Sequence, residues 1–263
     1  MYKSIKFPEK KSKKEIKKYF LRNNLKIIID SCFTDKKSKD PRISKKTYSP
    51  DLNDLYRLHR FIILNKRVSV LEYGCGWSTL VIIHALKINE KNYSNKVAGL
   101  RFKKKFSLTV IDNEKKFLRI AKRRVDDYYK KQKINVNYFF SQNSMVYYNG
   151  RICTSFDNHP VVNPDFIYLD GPDQFNIKKK LNGMTISDYE MMPMSADILK
   201  YENFLTPGTI ILSDGRTANT RFLKNNFQRK WEYKEDKVND QNYFYLKESF
   251  LGKINKLQLK FYS

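Results

Sequence analysis

Leu52, Leu55, Leu58 and Ile62 recur three and four residues apart, the spacing of one helix face. Ser49-Pro50-Asp51 just before them supplies a cap and a first-turn proline, so a helix starts here. The short apolar run Val68 to Glu72 then reads as a buried strand that ends in Gly74-Cys-Gly76. Beyond it the rhythm alternates. Helices are predicted over about 78–87, 114–131 and 188–202, and strands over Ser107–Asp112, Asn135–Phe140, Asp165–Asp170 and Thr209–Asp214. Strands separated by helical patterns predict an α/β fold: a doubly wound, mostly parallel sheet with helices on both faces and right-handed crossovers. Near the end of the chain, Trp231-Glu-Tyr-Lys and Asn242-Tyr-Phe-Tyr-Leu-Lys are joined by a linker too short for a helical crossover, which predicts an antiparallel hairpin.

Residues 1–48 form a basic arm, and residues 49–263 are read as one domain. The arm opens on Lys10-Lys11-Ser-Lys13-Lys14 and carries Ile16, Tyr19, Phe20 and Leu21 at helical spacing, so its helix is expected to pack on the core and keep a solvated outer face. Asp35 to Arg42 is polar and holds a proline, hence a loop. At 263 residues, the chain is long enough to bury a core without staples.

Charge is the compositional outlier: 52 Lys+Arg against 27 Asp+Glu leave +25. Such a field favours anionic partners, whether nucleic acid, acidic glycans or a membrane surface, although lysines spread along the chain steer weakly. Cys32, Cys75 and Cys153 are far apart and contain no CxxC pair, so neither a disulfide framework nor a zinc site is expected, and a reducing cytoplasm fits. No apolar run approaches the roughly 20 residues of a membrane span.

The strand–glycine turn–helix unit at Val68 to Leu86 is the geometry that brings backbone close to a nucleotide-like ligand. Gly74 and Gly76 serve it by tolerating unusual dihedrals and by keeping a Cβ out of the ligand's way. A dinucleotide fingerprint needs a third glycine where this chain has Thr79, which counts against a dinucleotide.

Leu71-Glu-Tyr-Gly-Cys-Gly-Trp-Ser-Thr79 resembles the first motif of the class I S-adenosylmethionine-dependent methyltransferases. The likeness continues in order with Leu108-Thr-Val-Ile-Asp112, Pro164-Asp-Phe-Ile-Tyr-Leu-Asp170-Gly-Pro and Leu205 to Asp214, over roughly residues 50–248. It implies a seven-stranded sheet whose last strand runs antiparallel, S-adenosylmethionine as cofactor, and cofactor contacts along Glu72, Gly74, Gly76, Ser78 and Thr79. Asp112, at a strand end, suits two adjacent ribose hydroxyls, each charge-assisted bond contributing roughly 1.5–3 kcal/mol. The basic stretch Lys87–Lys105 lengthens the spacing from Gly76 to Asp112, and Glu114 is the fallback. Asn143, with Ser141 and Gln142, follows the third strand, where polar groups can meet an adenine.

Asp170 and Asp214 end strands beside the first and are expected in the same crevice. Either suits proton removal from a hydroxyl acceptor, and Asp170 also suits cofactor contact. The family's metal-dependent members follow the second acid with Asn; here Gly215 stands there, so a divalent metal at Asp170 and Asp214 is not favoured. His159 is a further candidate base, while Arg216 and Asp173 are candidates for holding an acidic acceptor. Met184, Met191 and Met192 read as core at helical spacing, with Phe175 and an acceptor pocket as the other reading. The expected activity is O-methylation of a small or glycan-like acidic acceptor. An RNA methyltransferase using the basic surface, or a non-catalytic module retaining the fold, remain open, as does the oligomeric state.

Overall fold

The structure, a computed structural model, describes residues 5–34, 49–130, 132–188 and 190–263. The loop expected over Asp35 to Arg42 lies outside the described residues. Helix α1 (Lys13–Arg22) starts at a capping box in which Ser12 and Glu15 satisfy each other's backbone amides, and α2 (Lys26–Thr34) comes next. Ile16 and Phe20 of α1, Ile28 of α2 and Leu25 between them are buried in the same core as Leu58, Ile62 and Leu80, so the arm is built into the domain's helical layer.

Helix α3 (Leu52–Leu64) is capped by Asp51, whose carboxylate accepts from the amides of Asn53 and Asp54. Strand β1 (Ser69–Tyr73) is buried throughout and leads through the glycine turn into α4 (Trp77–Tyr93). The chain continues as β2 (Ser107–Asp112), α5 (Lys115–Tyr129), β3 (Val136–Phe140), β4 (Asn143–Tyr148), β5 (Arg151–Phe156), β6 (Phe166–Leu169) and β7 (Ile177–Lys178). It ends with α6 (Asp197–Tyr201), β8 (Ile210–Asp214), α7 (Thr217–Asn226), β9 (Trp231–Asp236), β10 (Gln241–Leu246) and α8 (Gly252–Tyr262).

Seven strands make the main sheet in the order β3-β2-β1-β6-β8-β10-β9, with β10 antiparallel to both of its neighbours. This is the doubly wound sheet expected, antiparallel hairpin included. One face is covered by α1 to α5 and the other by α6, α7 and the second sheet, β5-β4-β7. Helix α8 closes the N-terminal ends of the strands: Tyr262 Oη donates to Asp165 at 2.8 Å, and the Arg67 guanidinium lies 4.1 Å from the Tyr262 ring centre.

Three expectations change. The helix after the glycine turn runs on to Tyr93, and the stretch beyond it is not merely polar, since Val97, Leu100 and Phe106 pack with Val68 into a small apolar cluster. The hairpin β4–β5 was not expected at all. The helix expected over 188–202 is reduced to Asp197–Tyr201 and a single 3-10 turn at Glu202–Phe204. Pro193 disfavours helix at the residue before it, and Met194 and Ala196 instead pair their backbones with Thr154. Met184 and Met192 are consequently exposed rather than core.

Candidate active site

The C-terminal ends of β1, β2, β6 and β8 lie side by side and bring Gly74, Asp112, Asp170 and Asp214 to one crevice, where ligands of open α/β sheets bind. Gly74 adopts φ +84° and its amide donates to the Ile111 carbonyl at 2.9 Å. A Cβ there would lie 2.8 Å from the amide nitrogen of Gly171, and one on Gly171 would lie 2.4 Å from Gly74 Cα. The turn after β6 thus by itself demands glycine at Gly74. Gly76 differs: a Cβ on it would meet only Ser78 Oγ, at 3.8 Å, and would otherwise point into open space.

Glu72 lies beneath this turn, wholly buried, and accepts from Ser78 Oγ at 2.5 Å and Thr79 Oγ1 at 2.8 Å. Thr79 Oγ1 in turn accepts from the Gly76 amide at 3.2 Å. Both hydroxyls therefore turn back into the protein and fix the loop from below. Burial pushes the Glu72 carboxyl up to about 8 against the pull of these two donors. Trp77 packs in the interface between helix and sheet, with the Arg124 guanidinium 3.7 Å from its ring centre.

Asp112 is almost fully buried and ties the end of β2 to the glycine turn: it accepts from the Glu114 amide at 2.7 Å, and the Cys75 amide and thiol also point at it. Burial raises its carboxyl to about 6, and burial likewise raises the Cys75 thiol far beyond nucleophilic range. Beside Asp112 lies a recess of about 230 Å³, walled by Asn113, Glu114 and Lys115, by Phe140 and Gln142, and by Asn176 and Lys178. Lys115 Nζ sits 4.6 Å from the Phe140 ring centre. Asn143 does not line this recess. It is buried in β4 between Phe156 and Ile177, and its side-chain amide has no hydrogen-bond partner among the described residues.

The acids across the crevice influence one another. Asp170 opens to solvent at the mouth; partial desolvation and then Asp214 raise its carboxyl, while Arg216 pulls it down. Asp214 accepts from Tyr168 Oη at 2.8 Å and is raised to about 6, chiefly by burial. Asp54, from the first turn of α3, joins them and is raised to about 8 by burial and then by Asp214. Nothing in local sequence marks Asp54, because it is the packing of α3 that brings it here. Among the described residues no three His, Cys, Asp or Glu side chains converge as a metal-binding group.

The other candidates are held by the protein. Arg216 Nη2 donates to the Pro172 carbonyl at 2.8 Å. Asp173 accepts from the Phe175 amide, and its own amide donates to Asn113 Oδ1 at 3.0 Å. His159 Nδ1 lies 2.9 Å from the Pro160 carbonyl, so Nδ1 carries the proton and Nε2 accepts from Tyr73 Oη at 2.8 Å. Tyr73 is also bonded to Tyr201 at 2.9 Å, which sets His159 in a buried chain flanking the sheet. Asn113, which sequence reading passed over, is the hub of the segment over the crevice: Nδ2 donates to the carbonyls of Asp173 and Asn176, at 3.1 and 2.9 Å.

No family model and no curated protein matches this chain. Solved structures do. An SAH-bound methyltransferase of Podospora anserina is 12% identical, with TM-score 0.48, over 92% of this chain and 99% of that one. The O-methyltransferase TomG of Streptomyces achromogenes, crystallised with SAM, is 12% identical, with TM-score 0.43, over 92% of each chain. A Bacillus cereus O-methyltransferase in complex with SAH is 12% identical, with TM-score 0.40, over 90% of this chain and 92% of that one. The strand order, with β10 antiparallel between β8 and β9, is read from this chain's own backbone. A seven-stranded sheet whose last strand runs antiparallel is the architecture that the resemblance to the class I methyltransferases implies.

Proposed function

We propose that this chain transfers a methyl group from S-adenosylmethionine to an oxygen of a small or glycan-like acidic acceptor. The observation that carries this reading is the position of Asp112, between a glycine turn with open space at Gly76 and a base-sized recess at Asn113 and Phe140. A ribose on Asp112 sets its base against the half-exposed Phe140 ring, with Gln142 and Asn176 within reach of the base edge. The methionine end then follows the backbone of Gly74 to Gly76, a turn that Glu72 holds through Ser78 and Thr79. Asp170 and Asp214 end neighbouring strands at the crevice, and their carboxylates, when ionised, favour a cation, as a sulfonium is.

When bound, the cofactor supplies an already activated methyl group. What remains for the protein is orientation, which can contribute roughly 7–11 kcal/mol, and exclusion of water. A hydroxyl acceptor also needs a base. Asp170 fits that role, because its carboxyl opens to the crevice and is raised toward the working pH. The net charge of +25 supports an anionic acceptor.

Calorimetric titration with S-adenosylhomocysteine tests the reading. Wild-type protein is expected to bind, and Asp112→Ala to bind about 100-fold more weakly or worse, since two charge-assisted bonds are lost. Failure of the wild type to bind overturns the proposal. Transfer of labelled methyl to RNA, but not to acidic sugars, overturns the acceptor assignment alone.

A further inference from the structure

The face opposite the crevice carries an exposed apolar patch ringed by lysines. On α8, Ile254 and Leu257 sit one turn apart on the outer surface, 47% and 52% exposed, with Leu251 and Phe250 leading into them. Phe204, at 75% the most exposed aromatic residue among the described residues, lies on the turn tied to the same end by Asn255 Nδ2 donating to the Pro207 carbonyl. Beside this stripe stand Lys253, Lys256 and Lys260, all exposed, and Ser249 to Ser263 contains no acidic residue. Lys256 Nζ lies 5.3 Å from the Phe250 ring centre, so charge and apolar surface form one patch. A cleft of about 520 Å³ adjoins it, lined by Lys230, Lys247, Glu248, Ser249 and Phe250.

We infer that this face docks on an anionic membrane surface, with α8 lying in the headgroup plane and the crevice held toward water. Apolar side chains flanked by lysines on one helix surface are what an interfacial helix presents to an anionic bilayer. The inner side of α8 is already committed, since Asn255, Gln258, Leu259 and Tyr262 are buried against the domain. Only the outer side is available. A second copy of the chain is disfavoured as occupant, because two faces carrying Lys253, Lys256 and Lys260, on a segment from Ser249 to Ser263 with no acidic residue, would repel. Nucleic acid would use the lysines but leave Ile254, Leu257 and Leu251 in water.

Co-sedimentation of the full chain with vesicles decides this. Vesicles of phosphatidylcholine with about one third phosphatidylglycerol are expected to capture the protein, and pure phosphatidylcholine vesicles are not. Ile254→Ser/Leu257→Ser and Lys253→Glu/Lys256→Glu/Lys260→Glu should each weaken capture at least about tenfold, with circular dichroism unchanged because all five side chains are exposed. The apolar pair is the sharper test. If its loss leaves capture intact, attraction comes from the overall charge and the inference falls. It also falls if the wild type ignores anionic vesicles, if it binds poly-glutamate but not the vesicles, or if it is a dimer that the apolar double variant dissociates.

Discussion

Gly74 and Gly171 are pressed backbone against backbone, so that the turn after β1 and the turn after β6 share a space no side chain can enter. Either Cβ would meet main-chain atoms, which cannot rotate away: 2.8 Å to Gly171 N in one case, 2.4 Å to Gly74 Cα in the other. Gly171→Ala and Gly74→Ala should each cost roughly 1–3 kcal/mol or more, measured by urea unfolding. Gly76→Ala has open space and should leave stability within roughly 0.5 kcal/mol. Its effect should appear instead in affinity for S-adenosylhomocysteine. Equal destabilisation by all three substitutions would contradict this division of labour.

A second pair fixes the helical layer. His59 Nε2 and His84 Nδ1 are 2.9 Å apart, and Tyr19 Oη from α1 reaches His59 Nδ1 at 2.5 Å. Burial pushes His59 well below its ordinary value and His84 down to about 4. Between that value and about 6.5 the unfolded chain binds more protons at these histidines than the folded one, so their contribution to stability is full near neutral pH and is lost as pH falls through this window. Glu72, Asp54, Asp112 and Asp214, raised by burial, act with the opposite sign over the same range, so the histidine share is read as a difference between variants. Relative to wild type, the urea midpoint of His84→Gln should rise as pH falls from 7 to 5, and a difference that does not change with pH would show that His84 does not contribute.

Much of the sheet was legible because burial writes itself into composition: β1, β2, β6 and β8 are buried on both sides, and their sequences are correspondingly near-continuous apolar runs. The hairpin β4–β5 had a signal that was missed. Asn149 and Gly150, at φ +47° and +72°, are the dipeptide that two-residue hairpins prefer. The short α6 failed for a different reason, as methionine spacing outweighed Pro193. Within the crevice, Asp112, Asp170 and Asp214 were found because strand ends can be placed from sequence. Asp54 and Asn113 were not, since their roles exist only through contacts more than fifty residues away.

Asn113 gives a prediction of its own. Its side chain makes three hydrogen bonds to the backbone of Asp173 and Asn176, and Asn176 Nδ2 answers with one to the Asn113 carbonyl at 3.0 Å. Asn113→Ala removes the side-chain clasp while leaving the sheet intact, at a cost of about 1–3 kcal/mol confined to this segment. Limited proteolysis should then cut within residues 173–188 faster than in the wild type, and S-adenosylhomocysteine should bind more weakly through a faster off-rate. A variant with wild-type proteolysis would mean that the segment is held elsewhere.

Asp170 should betray a basic role through its neighbours. If it takes the acceptor proton, Asp170→Asn lowers kcat by roughly 10² to 10⁴ with cofactor affinity largely kept. The carboxyl must be ionised to act, so the rate rises with pH through its value in the protein. Asp214 raises that value and Arg216 lowers it. Asp214→Asn should therefore move the rising limb of the pH–rate profile to lower pH, and Arg216→Gln should move it higher. Opposite displacements from two residues that flank the same carboxylate are hard to obtain from structural damage, which would lower the rate without shifting the limb. If both variants keep the wild-type profile, a different group takes the proton and Asp170 is left with cofactor contact alone.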